Sequence, residues 1–242
     1  MMKPHPGKII LFPVPMGDAA PASVLPASNI DMLRGVRYFA VENLRSARRF
    51  LRAAAGREFD IDACTFTELS EHTPAAAVDA MLAPALQGHD IGVISEAGCP
   101  AVADPGADIV ACAQRSGLKV VPLVGPSSII MSLMASGLNG QRFAFEGYLP
   151  IEGPARNEAI RAMDRDAIRT GRTHIFIETP YRNLRLLQQL ATTLSPSTLL
   201  CVATDIGGPA ECIRTLPAAR WSRTDCSYVD RTPTIFLIGS HR

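Results

Sequence analysis

The chain has 242 residues, enough for one large domain or two small ones, and 47% hydrophobic against 19% charged residues makes it globular rather than disordered. A net charge of +1 supplies no global pull toward a polyanion, so a nucleic-acid partner needs a local basic patch. The cysteines at 64, 99, 112, 201, 212 and 226 never reach Cys-x-x-Cys spacing, which argues against a zinc site; without a signal-peptide pattern it also points to reduced thiols in the cytoplasm.

Residues 8–14 form an apolar strand that runs into Pro13-Val14-Pro15-Met16-Gly17-Asp18, where the prolines and the glycine end it. This turn is not Gly-x-Gly-x-x-Gly, which disfavours a dinucleotide oxidoreductase. Residues 19–33 carry Pro21 and Pro26 and end in a helix near Asp31. Residues 38–42 are a second strand, and Asn43 caps a helix that reaches about residue 55. On that helix Arg45, Arg48, Arg49 and Arg52 fall at i, i+3, i+4 and i+7 and share a face, opposite a core-facing set of Leu44, Ala47, Leu51 and Ala54. Between 34 and 57 arginine stands at 34, 37, 45, 48, 49, 52 and 57 against a single acid, Glu42. The stripe is either a solvated helix face or a phosphate-binding surface, since arginine suits phosphate oxygens.

A third strand is expected over residues 63–68 and a helix over 74–86, with Pro84 awkward near its end. Ile91-Gly92-Val93-Ile94 is a short buried strand, after which Gly98, Pro100, Pro105 and Gly106 force the chain to turn. Glu96 and Asp104 lie in this loop, at the carboxyl end of a strand, where α/β sheets gather ligands. A helix over 107–116 closed by Gly117 and a strand over 119–123 follow. The first half thus alternates strand and helix and is an α/β domain with a largely parallel sheet.

Residues 120–141 contain no charge and are long enough to span a bilayer, but Pro122, Gly125, Pro126 and the serines at 127, 128, 132 and 136 divide them into a strand, a turn and a helix stopped by Gly137. No membrane span is expected. The helix is apolar all round and is expected to be buried. The domain junction is placed before it, giving an N-terminal domain of residues 1–124 and a C-terminal domain of residues 125–242. The C-terminal half has strands near 142–146, 174–177, 199–204, 211–215 and 234–238, and helices over 155–168 and 182–193.

No Ser/His/Asp order, metal-ligand cluster or Walker loop is visible, and no metal site is expected. Loops rich in Gly, Pro and Ser at strand ends, with isolated carboxylates, suit a reaction in which a cofactor carries the reactive group and the protein positions it. Methyl transfer from a sulfonium is one such reaction among several.

Six motifs in order from Pro13 to Arg182 narrow the choice. They are Pro13-Val14-Pro15-Met16-Gly17-Asp18; Ser95-Glu96-Ala97-Gly98-Cys99-Pro100 with Ala103-Asp104-Pro105-Gly106; Val121-Pro122-Leu123-Val124-Gly125-Pro126-Ser127; Ala135-Ser136-Gly137-Leu138; Phe145-Glu146-Gly147-Tyr148-Leu149-Pro150; and Ile177-Glu178-Thr179-Pro180-Tyr181-Arg182. Together they resemble the tetrapyrrole methylase superfamily of S-adenosylmethionine enzymes, in the ribosomal RNA small subunit methyltransferase I branch. The resemblance implies two α/β domains with S-adenosyl-L-methionine in the cleft between them, and a homodimer. By motif, it implies cofactor contacts from Met16, Gly17, Gly98, Cys99, Ala101, Val102, Asp104, Ser127 and Ser128, with Glu178, Pro233 and Thr234 on the second-domain side; the two serines can equally serve as helix caps.

Where the ribosomal branch has Ala-Glu-Asp-Thr-Arg, this chain has Val41-Glu42-Asn43-Leu44-Arg45; Glu96 replaces an Asp, Cys99 a Thr and Tyr181 a His. These changes leave the cofactor motifs in place and bear on the acceptor, which in the branch is a cytidine 2′-hydroxyl of 16S ribosomal RNA. The reading is therefore a methyltransferase acting on RNA, with a tetrapyrrole or other small-molecule acceptor, or a non-catalytic cofactor-binding module, as alternatives. A ribose hydroxyl needs help to lose its proton, so Glu96 and then Glu42 are the candidate bases; each can also be a structural carboxylate that caps loop N–H groups. Arg45, Arg48, Arg49, Arg52, Tyr181 and Arg182 are the candidate acceptor-binding residues.

Overall fold

A computed structural model describes residues 5–240. Its contacts separate the chain into two units, one ending at Ser127 and the other beginning at Ser128. The segment after the last strand of the first unit stays with that unit for local reasons. Asn29 Nδ2 donates to the Val124 carbonyl at 2.8 Å, and a side chain at Gly125 would collide with Pro13.

The first unit runs β1 (Lys8–Phe12), α1 (Pro21–Val24), α2 (Ala27–Arg34), β2 (Tyr38–Val41), α3 (Leu44–Ala55), β3 (Thr65–Glu68), α4 (Ala75–Met81), α5 (Ala83–Leu86), β4 (Ile91–Ile94), α6 (Gly106–Arg115) and β5 (Lys119–Pro122). Its strands form one parallel sheet in the order β3-β2-β4-β1-β5. Strand alternation sends Ile10, Phe12 and Phe39 to one face, where Leu25, Leu33, Phe50 and Leu51 of α1–α3 cover them. Ile9, Leu11 and Val93 go to the other, under Val78, Leu82, Ile109 and Cys112 of α4–α6. Adjacent strands β1 and β4 therefore send their following chain to opposite faces, and the crevice between their carboxyl ends is the topological switch point of the sheet.

Two local expectations change. The helix expected over 74–86 is two helices, because Pro84 lacks an N–H and its ring would clash with the carbonyl four residues back; the chain breaks at Leu82 and restarts with Pro84 in the first turn. On α3 the buried set is Ala47, Phe50, Leu51 and Ala55, while Leu44, at the first helical position, is 36% exposed and Ala54 is half-buried. The cap itself is as read: Asn43 Oδ1 accepts from the backbone N–H groups of Arg45 (3.0 Å) and Ser46 (3.1 Å).

The second unit runs α7 (Ser128–Ser136), β6 (Phe143–Tyr148), α8 (Gly153–Thr170), β7 (Thr173–Ile177), α9 (Asn183–Thr193), β8 (Leu199–Thr204), β9 (Cys212–Pro217), α10 (Ala218–Trp221) and β10 (Thr234–Gly239), with single 3-10 turns at Pro180–Arg182 and Ser227–Val229. Its sheet order is β6-β7-β10-β8-β9, parallel at β6/β7 and antiparallel elsewhere. Ile160, Met163, Leu186, Leu190, Phe176, Phe236 and Trp221 form its core.

Helix α7 is not buried all round. Ser132, Leu133 and Ser136 face inward, while Ile130 is 44% and Met134 78% exposed. The inward serines are tolerated because Ser132 Oγ donates to the Ile129 carbonyl and Ser136 Oγ to the Leu133 carbonyl, so no hydroxyl is orphaned. Two small serines flank Leu133 on the inward side, while Ile130 and Met134 turn outward. Among the described residues no helix is long and apolar enough to cross a membrane.

Candidate cofactor and acceptor site

The two loops at the switch point are joined. The Val14 N–H donates to the Gly98 carbonyl at 2.9 Å and the Gly98 N–H to the Val14 carbonyl at 3.2 Å, a two-bond bridge between the turn after β1 and the loop after β4. Gly98 makes this bridge with φ +71°, a conformation that side-chain-bearing residues rarely adopt. Cys99 Sγ donates to the Pro126 carbonyl at 3.2 Å, tying the segment after β5 to the same loop. Three of the six motifs, far apart in the chain, thus meet at one end of one sheet.

Asp104 shapes the rest of the β4 loop. Its Oδ1 accepts from the N–H groups of Ala101 (2.9 Å) and Gly106 (2.6 Å). Ala101 and Ala103 are held at φ +67° and +61°, strained for residues with a Cβ. Burial pushes the Asp104 carboxyl up, against the opposing pull of the N–H groups of Ala101, Gly106 and Val102. Met16 is buried, whereas Val102 is exposed on the loop.

The two candidate bases lie side by side in different settings. Glu42, at the end of β2, is half-buried, and its Oε2 accepts the Glu96 N–H at 3.0 Å. Burial raises its pKa, the Glu96 N–H lowers it, and the nearby Asp104, Glu96 and Glu71 raise it again. The Glu96 side chain is exposed, with Ser46 Oγ 3.5 Å from its Oε1. Glu96 lines a cavity of about 340 Å³ together with Val14, Gly17, Asp18, Ser46 and Arg49. The place a Cβ would occupy at Gly17 is open.

The arginine stripe is not uniform. Arg48 is engaged within the fold: it pairs with Asp62 at 2.6 Å and its guanidinium lies 5.6 Å from the Phe66 ring centroid. Arg45, Arg49 and Arg52 are exposed, and among the described residues no carboxylate pairs with them.

The second-unit residues form their own cluster at the ends of β7 and β10. Glu178 Oε2 accepts from Arg156 Nη2 at 3.0 Å; its Oε1 accepts from the Thr179 N–H at 2.7 Å and from Arg182 Nη2 at 2.8 Å. The Arg156 and Glu178 side chains are each 2% exposed. Burial acts to raise the Glu178 pKa, but the bonds from Arg182, the Thr179 N–H and Arg156 outweigh it and hold the carboxyl below its ordinary value. Asn183, fully buried, donates to the Thr232 carbonyl at 2.6 Å, which brings the Pro233 and Thr234 segment beside the same turn. Tyr181 is 67% exposed, with the Arg182 guanidinium 5.1 Å from its ring centroid. Ser127 closes the first unit and Ser128 opens α7.

Arg156 is a site residue that the sequence analysis does not single out. The usable signal was its register. It precedes Ile160, Met163 and Ala167 at helical spacing, on the face that α8 buries, and a charge there requires a partner.

The profile of the tetrapyrrole (corrin/porphyrin) methylases matches residues 19–220 of this chain. The chain is 30% identical over 222 residues to the ribosomal RNA small subunit methyltransferase I of Escherichia coli O157:H7, covering 90% of this chain and 73% of that protein. It is 31% identical over 211 residues to the protein of the same name from Vibrio cholerae, covering 87% and 69%. Among solved structures, that of the methyltransferase CobJ matches with a TM-score of 0.65 at 17% identity, covering 97% of this chain and 94% of that one. A uroporphyrin-III C-methyltransferase from Thermus thermophilus, complexed with S-adenosyl homocysteine, matches at 0.54 and 14%, covering 96% and 97%. These structural likenesses are of fold.

Proposed function

The chain belongs to the tetrapyrrole methylase family and is an S-adenosylmethionine-dependent methyltransferase, and from that premise we propose that its acceptor is a ribose hydroxyl of RNA, as in the small ribosomal subunit. The observation that carries the proposal is the 340 Å³ cavity. One wall is the turn after β1 and the start of the β4 loop, with Gly17, Ser95 and Glu96; another is α3, with Ser46 and Arg49. A cofactor-motif loop and an unpaired arginine face thus open onto one space, which is of a size for a small-molecule site.

When bound, the cofactor supplies a methyl group on a sulfonium. Gly17, Gly98 and the Ala101–Asp104 turn hold it through backbone groups, and the open Cβ position at Gly17 leaves room for that approach. The family motifs support Ser127, Ser128, Glu178, Pro233 and Thr234 as further cofactor contacts and Tyr181 and Arg182 as acceptor contacts. Arg45, Arg49 and Arg52 hold acceptor phosphates. Glu96 accepts the proton of the attacking hydroxyl, and Glu42 positions Glu96 by holding its N–H. The protein acts in the cytoplasm as a homodimer.

S-adenosylhomocysteine titrated into the native protein should give saturable heat. In Gly98→Val the affinity should fall at least about tenfold, with far-UV dichroism unchanged, because a β-branched residue at positive φ displaces the loop. Absence of heat with both the cofactor and its demethylated product would remove the proposed cofactor site.

Reversing Arg45 and Arg49 to Glu should weaken RNA binding and flatten its salt dependence. The slope of log affinity against log salt should fall by about 1.4, at about 0.7 per single-strand phosphate contact, with cofactor affinity unchanged. An unaltered slope returns the stripe to a solvated face. Methyl transfer to a tetrapyrrole and not to RNA, with purified protein and labelled cofactor, overturns the acceptor.

A further inference from the structure

At its far end α3 meets a feature that methyl transfer does not use. The helix starts beside Glu68, whose Oε1 accepts the Leu44 N–H, and ends where Arg34 Nε donates to the Ala55 carbonyl, about 18 Å away at 1.5 Å per residue. Two adjoining cavities open there, of about 670 and 800 Å³, sharing Gly56, Arg57, Glu58, Phe59 and Asp60. Arg49 and Arg52 line the second cavity, which connects it to the stripe; Arg34 and Arg37 line the first.

Arg37 is held in an unusual way for an exposed arginine. Its Nη1 donates to the Arg34 carbonyl at 2.7 Å and the Val36 carbonyl at 2.8 Å, and its guanidinium lies 5.1 Å from the Phe59 ring centroid. Those bonds immobilise the plane without neutralising it. Among the described residues no carboxylate pairs with Arg37 or Arg57, whereas Arg34 pairs with Asp31 at 3.2 Å. Unpaired bases stack on arginine planes as well as on aromatic rings. The same rim carries Glu58 and Asp60; Asp60 Oδ1 is occupied by the N–H groups of Asp62 and Ala63. Such acids oppose a site for phosphate alone, but carboxylates can accept from the amino groups of bases.

We propose that this cavity is a second nucleotide subsite for the RNA acceptor: an unpaired base stacks on the Arg37 guanidinium, backed by Phe59, with a flanking phosphate at Arg57. Resting on the RNA reading above, it adds that the protein grips its acceptor at a point about one α3 length from the nucleotide it methylates, with Arg52 and Arg49 between. The recognised element is single-stranded, because a paired base cannot be splayed onto the plane.

Binding of a dinucleotide and of a sixteen-nucleotide single-stranded RNA to the full chain, saturated with S-adenosylhomocysteine, tests this. Arg37→Lys keeps the charge and removes the plane; Phe59→Leu keeps the apolar filling and removes the ring. Each should weaken the sixteen-mer by about fivefold to a hundredfold, the range for loss of one stacked base, and leave dinucleotide and cofactor affinities unchanged. Arg57→Gln, at an exposed position, keeps the test open if either of those variants fails to fold, and should weaken the sixteen-mer and lower its salt slope by about 0.7. Native affinity for the sixteen-mer in folded Arg37→Lys or in Arg57→Gln overturns the subsite and leaves the RNA reading intact. Failure of the native protein to bind the sixteen-mer overturns both.

Discussion

Replacing Arg156 by alanine is expected to destabilise the second unit by about 3 kcal/mol, the lower end of the range for removing one partner of a buried ion pair. Both side chains of the pair are 2% exposed, so solvent does not screen the loss. The lower end applies because Glu178 keeps Arg182 and the Thr179 N–H as partners. The carbonyl of Pro150, to which Arg156 Nε donates, loses its bond as well. The single tryptophan, Trp221, is buried in the second-unit core with its Nε1 donating to the Leu200 carbonyl, so urea unfolding followed by its fluorescence reports that unit. Arg156→Met with Glu178→Leu should recover part of the loss, since apolar replacement of a buried pair is often close to neutral.

The acid limb gives a second readout. The Glu178 carboxyl sits below its ordinary value in the folded protein, so the stability it contributes is present above its unfolded pKa and is lost as pH falls through the folded one. Native protein should therefore lose second-unit stability on acidification below about pH 4.3, the ordinary carboxylate value of Glu. Arg156→Ala, with less of this interaction to lose, should show a shallower decline. Equal stability of Arg156→Ala and native protein at neutral pH would remove the ion pair from any account of this turn.

Glu96→Gln should lower single-turnover methyl transfer to the RNA acceptor by about 10²–10⁴-fold, the usual contribution of a positioned general base. The amide keeps size and the Glu96 backbone bond to Glu42 but cannot take a proton. Glu42→Gln retains an oxygen to accept the Glu96 N–H and should change the rate by less than about tenfold. Glu42→Ala, which removes that acceptor at 3.0 Å, should reduce the rate more than Glu42→Gln does. A fall of less than about tenfold in Glu96→Gln, with cofactor affinity intact, assigns Glu96 to loop structure and leaves proximity as the main source of catalysis.

Much of this architecture was legible in the chain because it is written locally. Alternating strand and helix signals gave the α/β class, and Asn43 marked the start of α3 four residues ahead of its first buried position, Ala47. The glycines and prolines of the 95–106 loop located a turn at the end of β4, and six ordered motifs identified the family. Where local reasoning fell short, two local effects competed. Pro84 was seen near the end of an expected helix, but its clash with the preceding turn ended that helix at Met81. The apolar surround of α7 indicated burial; serines able to bond their own helix carbonyls took the inward side instead.

By itself the sequence determined the strand and helix segments, the caps and turns, and the residue types available for chemistry, because each depends on backbone preferences within a few neighbours. Only the tertiary structure decided which of those segments meet. It placed β1 beside β4, so that the two-bond bridge of Val14 and Gly98 joins loops more than eighty residues apart. It also set Arg156 against Glu178, immobilised Arg37 over Phe59, and separated Glu42 as a clamp on the Glu96 N–H from Glu96 as the exposed carboxylate. Periodicity reports that a face is buried, not what it is buried against; strand order and side-chain pairing follow from packing both faces of one sheet and satisfying each buried charge.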